Sequence, residues 1–286
     1  MQLDLFAHSR DVTLENAVIS AFASHDLSAA ASAIAALRHE YPDRQRLNLY
    51  EILLGQLNDF AQSLRAEQLA KCRQRLTDLI QPIGFSLFGS EHARRWAAPL
   101  WQQLAGLAAA KPFIASNAEQ HAAALWLAAG DDSMARVATE AIPSWRKIPA
   151  PLAWMTEIEL RSGHPEAYWP LVAELAWLAP QRLDQLLDHA PATVNAIFHR
   201  FSADFENNSD EDDLAWLPAW LLICTPETRE FLRPAQAGDS PPAQAFMRLL
   251  ELLHLEKTGQ HAGLMILRGK LRALAPDIFA IYMRSR

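Results

Sequence analysis

The chain has little glycine (10 of 286 residues), two cysteines and no excess of positive charge. Each shortage removes a class of protein. Val, Ile and Thr rarely cluster, while Ala is abundant; that balance favours helices over sheets. Cys72 and Cys224 lie far apart without CxxC spacing, so no structural disulfide or zinc site is expected, and reduced thiols suit the cytoplasm. A formal net charge of −7 argues against direct gripping of nucleic acid through phosphates. The densest basic stretch, Arg65, Lys71, Arg73 and Arg75, with Arg94 and Arg95 next, reads as a solvated helix face. Met1-Gln2-Leu3-Asp4 lacks the basic start and apolar stretch of a signal peptide. The longest apolar run, Leu214 to Cys224, contains Pro218 and is too short to span a bilayer, so no membrane association is expected.

What is present is helical patterning. Half the residues are hydrophobic and 21% are charged, enough to bury a core. Apolar residues recur at three- and four-residue spacing, as in Leu14, Ala17, Val18, Ala21 and Phe22, or Leu249, Leu252, Leu253 and Leu255. No alternating strand stands out. Proline and glycine punctuate at intervals that predict helices of about 10–18 residues.

Three segments place a turn residue 17 positions before a proline: His25 before Pro42, Gly163 before Pro180, and Gly259 before Pro276. A fourth turn, Gly130-Asp131, lies 33 residues before Gly163, with its proline out of register. Glycine, or a short polar residue, releases the first helix by tolerating left-handed angles. Proline stops the second. Two helices joined so tightly pack antiparallel, and neither hides its apolar face alone, so pairs stack.

This spacing resembles the tetratricopeptide repeat, a helix-turn-helix unit of about 34 residues. The resemblance implies an all-α fold of antiparallel helix pairs stacked as a right-handed solenoid or superhelix over residues 11–286. That family prefers a small residue five positions after the turn; Ala30 and Ala135 match, and Tyr168 and Leu264 do not. The family's Trp and Leu-Gly signature is absent. The resemblance covers roughly half the chain in pieces (12–42, 118–180, 245–280) and leaves open whether 43–117 follows it.

Candidate chemistry is sparse. Gly84-Phe85-Ser86-Leu87-Phe88-Gly89 is superficially like a nucleophile elbow, but its second glycine is one residue late and no strand precedes it; it reads as an apolar loop. Glu251 and His254 have the spacing of a di-metal helix bundle, which needs two such pairs and two further carboxylates; one is found. No catalytic, cofactor-binding or metal-binding residues are assigned. The acidic run Glu206–Asp213 lacks the glycine of a calcium loop and reads as an exposed cap of the next helix. Residues 233–243 read as a second loop. Nine tryptophans read mainly as core, with any exposed one a natural partner anchor.

The most specific signal is Gln2-Leu3-Asp4-Leu5-Phe6. It resembles the clamp-binding peptide of bacterial replication and repair proteins, written Gln-Leu-Ser/Asp-Leu-Phe. The resemblance implies an extended peptide, carried on a tail of residues 1–10, that docks on the DNA polymerase sliding clamp. Leu5 and Phe6 would fill an apolar pocket, Gln2 would hydrogen-bond at its own subsite, Leu3 would add contact and Asp4 would face solvent. Leu87-Phe88 repeats the apolar pair, but Gly84 stands where Gln is needed. The alternative is that Leu3, Leu5 and Phe6 pack on the protein's own helices. The reading is a non-enzymatic adaptor: its peptide engages the clamp and its helical body holds a second protein. The alternative is a general tetratricopeptide-like scaffold for an unrelated partner.

Overall fold

A computed structural model describes residues 2–188, 190–205, 211–259 and 261–286; of residues 2–9, 211–213 and 261–262 it describes the backbone alone. The described residues are all-helical, without a strand. The chain forms two compact units, Met1–Ala138 and Thr139–Arg286.

The first unit opens with α1 (Gln2–Ala23), α2 (Leu27–Glu40) and α3 (Leu47–Ser63). Next come α4 (Leu69–Arg75), a π turn (Leu76–Ile80) and α5 (Gln81–Phe88), helical throughout. The π turn has a local cause. Pro82 lacks an N–H and its ring crowds the carbonyl four residues back; one wider turn just upstream, where the Gln81 N–H reaches the Leu76 carbonyl, relieves this. Then follow α6 (Ser90–Ala108), α7 (Ala122–Ala128) and α8 (Asp132–Glu140), which spans the boundary between units. Phe22, Leu37, Tyr50, Phe60, Leu76 and Leu104 anchor the core. The stretch 43–117 shows none of the 17-residue spacing: Gly84 to Gly89 is no loop, because residues 84–88 finish α5 and Gly89 ends it with φ 75°.

The second unit holds α9 (Pro149–Ser162), α10 (Pro165–Leu178), α11 (Pro180–Leu187) and α12 (Ala192–Phe205). It continues with α13 (Leu217–Cys224), α14 (Arg229–Leu232), α15 (Pro241–Thr258), α16 (His261–Leu274) and α17 (Pro276–Arg284). Pro218 starts α13 rather than breaking it, since a missing N–H is harmless in the first turn. For the same reason Pro241 opens α15, which shortens the expected 233–243 loop. The acidic run Glu206–Asp213 lies outside the described residues, apart from the backbone of 211–213.

The three spaced segments share one local geometry. His25, Gly163 and Gly259 have φ of 57°, 73° and 69°, and Gly130 has 75°. Each of the first three is followed by a 14-residue helix: α2, α10 and α16. Each helix ends at a residue just before proline, where the α conformation is sterically disfavoured. Tyr41, Ala179 and Ala275 sit at φ/ψ of −136°/66°, −156°/71° and −144°/79°. Their N–H groups donate to the carbonyls of Leu37, Leu175 and Leu271, each at 2.8 Å. Those three leucines are fully buried, each worth roughly 1.5–3 kcal/mol of apolar burial. Asp26 and Asp131, the residues after two of the turns, cap the next helix by accepting from the N–H of Ala29 at 2.9 Å and Met134 at 3.0 Å. In each triplet the first helix packs on the second, as α1 on α2, α9 on α10 and α15 on α16. No described helix is long and apolar enough to cross a membrane.

Candidate binding surfaces

The backbone of Gln2 to Phe6 lies in α1, while the side chains of Gln2, Leu3, Asp4, Leu5 and Phe6 lie outside the described residues, so the clamp-like contacts are not placed by the structure. The remaining candidates are placed. Ser86 sits inside α5, and a Cβ at Gly84 would meet the Trp96 ring at 2.6 Å; that glycine exists for close packing. Glu251 and His254 are both exposed on α15. Among the described residues no three His, Cys, Asp or Glu side chains gather as a metal site would require. Of the tryptophans, Trp96, Trp101, Trp154, Trp169 and Trp220 are buried, and the other four are half-buried. None of the nine is fully exposed.

Two charge networks that sequence spacing does not reveal each tie a third helix to a first. In the first unit the Tyr50 hydroxyl on α3 donates to Glu15 Oε1 on α1 at 2.7 Å, and Arg44 donates to Glu15 Oε2 at 2.9 Å. Burial works against the Glu15 charge, but the Tyr50 and Arg44 hydrogen bonds prevail and lower its pKa. Burial first, and Glu15 second, push Tyr50 up to about 12. In the second unit the Tyr282 hydroxyl on α17 donates to Glu256 on α15. Arg268 and Arg286 reach the same carboxylate at 3.0 and 2.7 Å, and burial again raises the tyrosine. These acids and phenols already serve as fasteners.

A third carboxylate, Glu174 on α10, is buried and accepts from Arg146 Nε and from the Gln236 N–H, each at 2.8 Å. It thereby fixes the segment between α14 and α15. The basic stretch behaves similarly: Arg75 pairs with Asp59 at 2.5 Å and Arg73 with Glu119 at 3.5 Å. Half of that stretch is thus neutralised within the chain.

A cleft of ≈ 120 Å³ in the second unit is lined by Phe205, Trp216, Leu274, Pro276, Asp277 and Ile278. Small-molecule sites run to about 300–1,000 Å³, and here a single carboxylate meets apolar walls. A more exposed apolar surface lies on α16, where the neighbours Met265 and Ile266 are 82% and 63% exposed. A signal for it was present in the sequence, since α16 carries apolar residues on more than one stripe. Comparison with family models, with curated proteins and with solved structures gives no match for this chain.

Proposed function

We propose that the protein is a non-enzymatic adaptor that engages the bacterial DNA sliding clamp through residues 2–6 and holds a second protein through its helical body. The observation that carries the first half is the sequence Gln2-Leu3-Asp4-Leu5-Phe6, which matches the clamp-binding pattern at every position. Two adjacent apolar side chains supply burial, and one amide fixes register. The second half rests on the recurring hairpins. In this reading the helix pairs stack in the tetratricopeptide manner and present a broad face to a partner. The negative net charge fits an adaptor that reaches DNA only through a clamp already encircling it.

A fluorescence titration of purified clamp against the full chain tests the first half. The double variant Leu5→Ala/Phe6→Ala should bind at least about 100-fold more weakly, because two buried side chains are each worth about 1.5–3 kcal/mol. Equal affinity for both proteins removes the peptide from the account. A second reading, a scaffold that binds an unrelated partner through its body alone, is favoured by the exposed apolar pair on α16. Clamp binding absent from both proteins leaves that reading standing.

A further inference from the structure

The second helices of the three hairpins differ in one respect. Counting from the turn residue, the sixth and seventh positions are Ala31 and Ser32 in α2, Trp169 and Pro170 in α10, and Met265 and Ile266 in α16. In α10 these positions are buried: every residue from Tyr168 to Ala176 is, with α13 and α14 packed on this helix as well as α9 and α11. In α2 they are exposed and small. In α16 they are exposed and large. That helix packs against α15 and α17, yet it carries on its outer side the kind of residue that α10 keeps covered.

The outer side is organised. At 100° per residue, Met265, Gly269, Ala273 and Ile266 fall within one stripe, opposite the buried Leu264, Leu267 and Leu271. Arg272 borders the stripe on one edge and Lys270 on the other. Met265, Ile266, Gly269, Lys270, Arg272 and Ala273 are all exposed. A Cβ at Gly269 would touch nothing within 4 Å, so the stripe has a notch at its centre. His261 to Leu274 contains no Asp or Glu, although the chain as a whole has a net charge of −7. Neither Lys270 nor Arg272 has an ion-pair partner among the described residues, whereas Arg268 is held by Glu256 and Tyr282.

We propose that the outer face of α16 docks an amphipathic helix of a partner protein, its apolar stripe on Met265, Gly269, Ala273 and Ile266 and its acidic flanks against Lys270 and Arg272. This deepens the protein-holding half of the adaptor reading and is independent of the N-terminal peptide. Charge complementarity selects the occupant. Two copies of α16 meeting about a twofold axis would set cations against cations, which disfavours self-pairing. A membrane-surface helix carries large aromatic or leucine side chains on its apolar face; this stripe has a single Met and a single Ile, with Gly and Ala between.

The test is fluorescence anisotropy with two labelled helical peptides, one with a leucine stripe flanked by Glu and a twin in which every Glu is Lys. The intact chain should bind the Glu peptide, more weakly as salt rises, and bind the Lys twin at least about tenfold more weakly. Met265→Ser/Ile266→Ser and, separately, Lys270→Glu/Arg272→Glu should each weaken Glu-peptide binding at least about tenfold, with unchanged denaturation midpoints. Equal binding of the two peptides to the intact chain overturns the proposal. So does binding to phosphatidylserine vesicles that displaces the Glu peptide, which assigns the face to membranes. Light scattering that shows a dimer broken by Met265→Ser/Ile266→Ser reassigns the face to a second copy. Clamp binding that persists while the peptides fail removes this inference alone; the converse removes the clamp reading alone.

Discussion

The α1–α2 hairpin and the α15–α16 hairpin share much. Each turns on a residue at positive φ, each has a second helix of 14 residues, and each second helix stops one residue ahead of an X-Pro step. Each is also bolted to a third helix by a tyrosine that donates to a glutamate flanked by arginines. Their outer faces nonetheless differ completely. α2 shows Ala31, Ser32 and Ala35 to solvent, and α16 shows Met265 and Ile266. Local geometry therefore sets how a hairpin is built, and it leaves the side chains on the free side to vary.

The comparison can be broken most forcefully in the core. Leu37→Ala, Leu175→Ala and Leu271→Ala remove equivalent fully buried side chains and should each cost about 2–5 kcal/mol in urea denaturation. Leu175→Ala belongs at the upper end, because α10 is enclosed on more sides and can relax least. An ordering that places Leu175 lowest would contradict the claim that enclosure sets the cost.

The bolts come next. Tyr50→Phe removes a hydrogen bond to a charged acceptor and should cost about 1.5–3 kcal/mol; Tyr282→Phe should cost a similar amount. The sign with pH follows from the raised tyrosine. Because Tyr50 moves from 10.0 to about 12 on folding, the folded chain keeps a proton that the unfolded chain loses. Stability should fall as pH rises from about 10 to about 12, and Tyr50→Phe should make that fall shallower, leaving the share of Tyr282, which burial also raises. Glu15, lowered on folding, contributes stability above the ordinary carboxylate range that disappears as pH falls through its folded value.

The turns give a smaller effect. At Gly163 and Gly259 an added Cβ meets nothing within 4 Å, so Gly→Ala costs only the left-handed backbone penalty, about 1–2 kcal/mol. His25 bears that penalty already. Its ring stacks on Trp96 at 5.5 Å with planes 3° apart, an interaction worth about 0.5–1.5 kcal/mol. His25→Gly should therefore fall between a loss of about 0.5 kcal/mol and a gain of about 1.5 kcal/mol, and a change outside that range would show that one of the two terms is absent. Smallest of all, Met265→Ser/Ile266→Ser should leave stability within about 0.5 kcal/mol per site. A larger loss would mean that this pair supports the fold.

The turns were readable in the sequence because a positive φ selects for glycine or a short polar residue and proline forces its predecessor out of the helix. These rules act within a few residues. They located His25, Gly130, Gly163 and Gly259. They misread Gly84–Gly89, where two glycines suggested a loop; Gly84 is instead a packing site for Trp96, a long-range reason that spacing does not carry. The pairing of Glu15 with Tyr50 is illegible for the same reason: 35 residues separate them, and only the folded hairpin brings them together. The outer face of α16 is an intermediate case. Its second apolar stripe is written in Met265, Ile266 and Ala273, but its lack of cover emerges only once α10 is seen beneath α13 and α14.

The adaptor reading stands most directly on whether residues 2–6 reach the clamp. Calorimetric titration of the purified clamp with a synthetic peptide of residues 1–10 decides it. The account predicts saturable heat that vanishes when Leu5 and Phe6 are alanine, together with displacement of the full chain by the unlabelled peptide. No heat from the native peptide, or displacement that does not depend on Leu5 and Phe6, would contradict it.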